Sequence, residues 1–348
     1  MHHIRLTRRT ALQASAGLLL GAMTTRSAFA HTADDATPVA AATPQLPATV
    51  TDVDGNEVTV EDVSRIVALN GNIAETLFAL GLGANVVATD VTAFYPEEAL
   101  ALPKIGYART LAAEGILSFE PTLVIGNLEA GPPEVIQQIR DSGVTVVMLP
   151  YPESPDQAGE QVQQVADAVG VPEAGAEIAA NINDQLAKAA ELAATSEIEP
   201  RVAFMIVRGQ GVQLVAGANS SADGVITAAG GINVAAEVGL EGFAPITPEA
   251  LIEAAPDVLV VMQDGLASAG GVEGLLQIPG LSQTPAGEDG NIIAFNDLYI
   301  LGFGPRMGDA IYDLTIAIHP DLDEEPLHPE WQGTDVDPVE SAEASPAA

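Results

Sequence analysis

The chain repeats one of its own segments. Glu114-Gly-Ile-Leu-Ser-Phe-Glu-Pro121 runs into the apolar Thr122-Leu-Val-Ile125, and Glu249-Ala-Leu-Ile-Glu-Ala-Ala-Pro256 runs into Asp257-Val-Leu-Val-Val261. In both copies an acid stands seven residues before the proline that stops a short helix. Upstream of each, a helical pattern closes on glycines, Gly81 and Gly83 in one case and Gly230 and Gly231 in the other. A helix-to-strand unit that recurs in both halves calls for two similar lobes, and the chain between them must cross from one to the other.

The remaining sequence fits that plan. From residue 48 to 153, apolar runs alternate with helical patterns, among them Ile73 to Leu80 and Pro133 to Ser142. Alternation of this kind builds parallel α/β units. Residues 154–195 read as a helical connector broken at Gly170-Val-Pro172, and its second part would span about 30 Å. A second α/β series fills 196–320, with strands starting near Arg201, Asp257 and Asn291 and a last helix from about Gly308 to Ile318. The expected fold class is α/β: two lobes with parallel-rich sheets joined by one long α-helix, with the crossing at Pro150 to Pro155. The expected ligand cleft lies between the lobes, where strand ends meet.

The two ends of the chain read differently. Residues 1–30 hold Arg8-Arg9, an apolar run from Ala11 to Met23 and Ala28-Phe-Ala30, the pattern of a twin-arginine signal peptide cleaved after Ala30. The apolar run is well short of the ~20 residues that a membrane span needs. Residues 31–47 are rich in Ala, Thr and Pro, and 321–348 are acidic and punctuated by proline; both are expected to be disordered. With no cysteine there is no disulfide, no thiolate metal site and no lipid-modified cysteine. The product expected is an exported monomer, periplasmic or otherwise extracytoplasmic, with no direct membrane insertion.

Without the signal the chain keeps eight basic residues against 48 acidic ones, a formal charge of −40. That surface repels nucleic acid and anionic membranes. Each of the remaining arginines, Arg65, Arg109, Arg140, Arg201, Arg208 and Arg306, therefore invites a reason. Enzyme chemistry finds little purchase. The histidines left are His31, His319 and His328, in or beside the two ends, so a catalytic triad lacks its base and a zinc site its imidazoles. Gly302-Phe-Gly304 lacks the third glycine of a dinucleotide fingerprint. A binding protein is expected, not an enzyme.

Within Ile105 to Pro121 a polar aromatic pair precedes the first repeat. Tyr107 and Arg109 are two apart, so in extended backbone a phenol and a guanidinium share one side. Thr110 is placed to cap a following helix, with Glu114 in its first turn.

RIVALNGNIAETLFALGLGANVVATD, LPKIGYARTLAAEGILSFEPTLVI, AGPPEVIQQIRDSGVTVVMLP, PITPEALIEAAPDVLVVM and LYILGFGPR, together covering roughly residues 50 to 320, resemble haem-binding proteins of bacterial haem-uptake ABC transporters. The resemblance implies two Rossmann-like lobes on a rigid helix, haem as the transported ligand, and an ABC permease dimer with its ATPase as partner. It also implies Tyr107 as haem-iron ligand, with a phenolate suited to ferric iron, and Arg109 and Arg306 on the haem propionates. Tyr299 is a candidate second ligand and Arg208 a further propionate candidate. Phe94, Tyr95, Phe243 and Phe303 are candidate stacking surfaces. Glu114 and Glu249, equivalent in the repeat, are expected to meet permease arginines, or else only to complement their helix dipoles. The turn Arg208-Gly-Gln-Gly lacks the histidine that some members supply, so paired Tyr and His ligation is not expected. The same class includes siderophore and cobalamin binders, the alternative reading, and a cleft enzyme is the distant one.

Overall fold

In the computed structural model, which describes residues 43–209 and 211–336, the apolar runs form two parallel-rich sheets. A hairpin of β1 (Ala48–Thr51) and β2 (Glu57–Val60) precedes the first. The first sheet holds β3 (Ile66–Ala68), β4 (Val86–Thr89), β5 (Leu123–Asn127) and β6 (Thr145–Leu149), all parallel in the order β4-β3-β5-β6. β3 and β5 are buried at every residue, which is why they read as unbroken apolar runs with no period of two.

The second sheet holds β7 (Arg201–Arg208), β8 (Val212–Ala216), β9 (Ile232–Asn233), β10 (Phe243–Ala244), β11 (Val258–Met262) and β12 (Ile292–Phe295). Its parallel part runs β9-β7-β11-β12 and repeats the order of the first. β7 divides one edge between two partners: Arg201 and Val202 pair with β9, while Met205 to Arg208 pair antiparallel with β8. The duplicated segments fall at equivalent places, helix Ala113–Leu117 leading to β5 and helix Pro248–Ala254 leading to β11. They also share a feature that no pattern shows, a left-handed residue before the proline, Glu120 at φ 47° and Ala255 at φ 45°. Each such residue costs about 1 kcal/mol or more, which the packing on either side must offset.

The connector is two helices, Ala158–Ala168 and the 22-residue Pro172–Ala193, the latter about 33 Å long. The long helix gives Ala174 to the first lobe's core and Ile182 and Ala189 to the second's. The last helix, Met307–Ile318, lies against it so closely that a Cβ at Gly308 would stand 2.6 Å from the Ile182 carbonyl oxygen. Contact at both ends makes this helix a fixed spacer.

Two expectations need correction here. Thr110 caps nothing: it ends a 3-10 turn, Ala108–Thr110, and the next helix starts from Ala112. Residues 327–333, inside the stretch expected to be disordered, are anchored by hydrogen bonds to the second lobe. The Asp313 carboxylate accepts from the backbone N–H groups of Leu327 (2.6 Å) and His328 (3.0 Å), Trp331 O accepts from Asn296 N (2.8 Å), and Gly333 N donates to Ala294 O (2.8 Å). At the other end Leu46 already packs on the first lobe's core. The signal, residues 31–42 and residues 337–348 lie outside the described residues.

Candidate ligand cleft

The carboxyl ends of the two sheets face a cleft of about 530 Å³, within the usual range for small-molecule sites. β3 leads into Asn70 and Gly71, the loop after β5 brings Glu129, and the chain leaving β6 brings Tyr151. From the second lobe come Arg208 at the end of β7, Met262 at the end of β11 and Asp297 after β12. The floor on the first lobe is tightly built. Gly71 starts helix Gly71–Ala79 so close to Thr92 that a Cβ there would lie 2.4 Å from the Thr92 carbonyl oxygen. Thr92 Oγ1 accepts from Gly71 N at 3.0 Å and donates to Asp90 at 2.8 Å. Burial nonetheless lifts the Asp90 carboxyl to about 6.

Tyr107 sits at the rim, 41% exposed, in extended backbone at φ −82° and ψ 134°. Gly106 turns the chain into it at φ 98°, and its carbonyl accepts from Val91 N at 3.0 Å. Two further bonds, Leu111 N to Gly131 O and Gly131 N to Ala108 O, both 2.9 Å, strap this segment to the loop after β5. That strapping sets Arg109 opposite Glu129, with which it is ion-paired. On the facing wall, Asp297 accepts from Asp264 N at 3.2 Å, and burial with the Asp264 charge lifts its carboxyl to about 6, while Arg208 opposes that rise.

Of the residues singled out in the sequence, Tyr107, Arg109, Arg208 and Phe94 line the cleft together. Five others do not. Arg306 is 5% exposed and gives Nε and Nη2 to Glu75 of the first lobe, at 2.7 and 3.1 Å. Tyr299, 1% exposed, donates its hydroxyl to Asp313 at 2.8 Å, and burial followed by the Asp313 charge pushes its phenol well above the ordinary range. A phenol held protonated and already bonded offers no phenolate to iron. Phe303 is fully buried under Tyr151, with ring centroids 6.2 Å apart. Tyr95 meets Trp331 edge-on at 5.4 Å, and Phe243 lies half-buried in β10. Glu114 and Glu249 are exposed in the first turns of their helices, and neither carboxylate has a side-chain partner among the described residues.

Glu129, Tyr151, Met262 and Asp297 are cleft residues that the sequence reading passed over. Tyr151 did carry a signal, since it stands between Pro150 and Pro152 inside the expected crossing.

Two α/β lobes on a fixed helix, with a ligand-sized cleft at their strand ends, define a two-lobed substrate-binding protein. The chain belongs to the periplasmic binding protein family, whose model matches residues 66–298. It is 51% identical to the apo periplasmic heme-binding protein RhuT from Roseiflexus sp. RS-1, with a TM-score of 0.73, over 74% of this chain and 99% of that one. The heme-binding protein HmuT is 37% identical, with a TM-score of 0.75, over 81% of this chain and 93% of that one. The cobalamin-binding protein of Halobacterium salinarum is 26% identical over 282 residues, 79% of this chain and 74% of that protein.

Proposed function

We propose that this protein binds haem outside the cytoplasm and delivers it to the permease of an ABC transporter, acting as a carrier and not as an enzyme. The observation that carries the reading is Tyr107 itself, a phenol at the cleft rim, 41% exposed, with Arg109 lining the same cleft. A phenolate is a hard oxygen donor for ferric iron. Arg109 on one lobe and Arg208 on the other are cations suited to two carboxylates, and Phe94 offers an apolar face. In this reading residues 1–30 direct twin-arginine export with cleavage after Ala30, and the carrier works as a monomer.

Titration of the purified mature protein with ferric haem tests the reading. A saturable one-to-one complex with a phenolate-to-iron charge-transfer band is expected. No spectral change, with binding of cobalamin or a ferric siderophore instead, would replace it with the alternative that the cobalamin-binding relative suggests.

A further inference from the structure

We propose that the hydroxyl of Tyr151 is a direct ligand contact, donating a hydrogen bond to a carboxylate of the bound molecule beside Arg109. The identity of that carboxylate as a haem propionate rests on the function proposed above.

The argument begins with the backbone. Tyr151 precedes Pro152, which confines it to the extended region, and Pro150 precedes it. The Pro150 carbonyl accepts from Gln161 Nε2 at 2.9 Å, and Gln161 Oε1 accepts from Asn72 Nδ2 at 2.7 Å. Asn72 lines the same cleft. The ring then packs edge-on against the buried Phe303, at 6.2 Å and 73°. Main chain and ring are therefore held from the first lobe and the second at once, at the point where the chain passes between them.

The hydroxyl is left over. Tyr151 is part-buried and lines the cleft, and among the described residues nothing makes a hydrogen bond to its phenol oxygen, which is left open to the cleft. Tyr299 shows the ordinary case, its hydroxyl given to Asp313. Burial first, and then the Glu129 charge, push the Tyr151 phenol upward, out of reach of ordinary pH. As a phenol it has an O–H to donate. Its titratable surroundings are Glu129, Arg109 and Tyr107, of which the first two are paired with each other. A ligand carboxylate arriving there competes with Glu129 for Arg109, and Tyr151 supplies a second point of attachment that Glu129 does not occupy. The two cleft tyrosines then divide the work, with Tyr107 at the rim for the metal and Tyr151 in the wall for the acid edge.

Tyr151→Phe tests this, because it keeps the ring on Phe303 and removes one oxygen. Wild-type protein is titrated first with haem, and failure to bind there would sink the proposed function and this contact with it. Given wild-type binding, the variant should show about a tenfold higher Kd for haem, an unmoved charge-transfer band, and no loss for haem dimethyl ester. An unchanged Kd for haem overturns the proposal. So does an equal loss for haem and ester, and a shifted band in that case would move the bond to the Tyr107 oxygen.

Discussion

Glu75 of the first lobe and Arg306 of the second meet in a two-point ion pair whose side chains are 3% and 6% exposed. The guanidinium carbon also lies 3.8 Å from the ring centroid of Tyr95, 4.9 Å from that of Trp331 and 5.1 Å from that of Tyr299. An arginine expected at the ligand is instead a strut between lobes. Its Nη1 is buried without a hydrogen-bond partner in the described structure, so the three ring faces take the place of the missing acceptor.

Glu75→Ala should therefore destabilise the protein by about 3–5 kcal/mol, because Arg306 would keep its charge in a dry site. Urea unfolding reads the loss. Replacing both partners, as Glu75→Leu with Arg306→Met, should cost far less, and a double variant as unstable as the single one would contradict this account.

Tyr107→Ala should abolish the charge-transfer band of the haem complex while changing stability by no more than about 0.5 kcal/mol, as expected for a half-exposed loop residue. Arg109→Ala should weaken haem binding by roughly 1–3 kcal/mol and leave the band in place. Absorption titration with thermal melting checks both, and a Tyr107 variant with the wild-type spectrum would exclude that residue as the ligand.

Glu114→Arg with Glu249→Arg should leave haem affinity and folding unchanged, since both carboxylates are exposed and free of side-chain partners among the described residues. Each reversal exchanges a favourable helix-dipole term of about 0.3–1 kcal/mol for an unfavourable one of similar size, too little to unfold the protein. Stimulation of the permease ATPase in reconstituted vesicles should disappear if these acids seat the carrier. Full stimulation by the double variant would reduce them to dipole partners.

His328 predicts a pH dependence. The Asp309 carboxylate at 3.5 Å and then Glu330 at 3.0 Å lift its imidazole to about 9 from an ordinary 6.5. The folded state holds that proton more tightly than the unfolded one, so the stabilisation is complete below about pH 6.5 and is lost as pH rises through about 9. Solvent reaching the partly exposed ring and its exposed partner Glu330 limits it to about 1 kcal/mol. Thermal midpoints between pH 6 and 10 should fall more steeply for wild type than for His328→Ala, and parallel curves would refute the assignment.

The two parallel-rich lobes and the spacer helix were legible because each rests on a local pattern: a buried run, a glycine stop, a proline seven residues after an acid. That Tyr107 and Arg109 would fall together was legible for the same reason, since they are neighbours on one loop that lines the cleft. Arg306 was not, because its partner Glu75 is 231 residues away and a motif beside the cleft says nothing of which way its side chain turns. Tyr299 lies in helix Asp297–Leu301 with its ring buried against the second lobe's core, and a motif alone does not say which face of so short a helix turns inward. Residues 327–333 lie in a stretch with the composition of a tether, yet they are fixed by backbone bonds to Asp313, Asn296 and Ala294 and by one indole. Order that rests on so few anchors leaves no periodic trace.

That indole has a practical consequence. Trp331 is the chain's single tryptophan, and it touches Tyr95 of the first lobe, Tyr299 of the second and the Arg306 guanidinium that joins them. The protein thus contains one tryptophan, selectively excited at wavelengths where its five tyrosines do not absorb, and it is placed at the seam. Its emission wavelength reports whether the C-terminal segment is seated, and its quenching by a bound porphyrin reports occupancy of the cleft, so undocking and ligand uptake can be followed in one cuvette without any label.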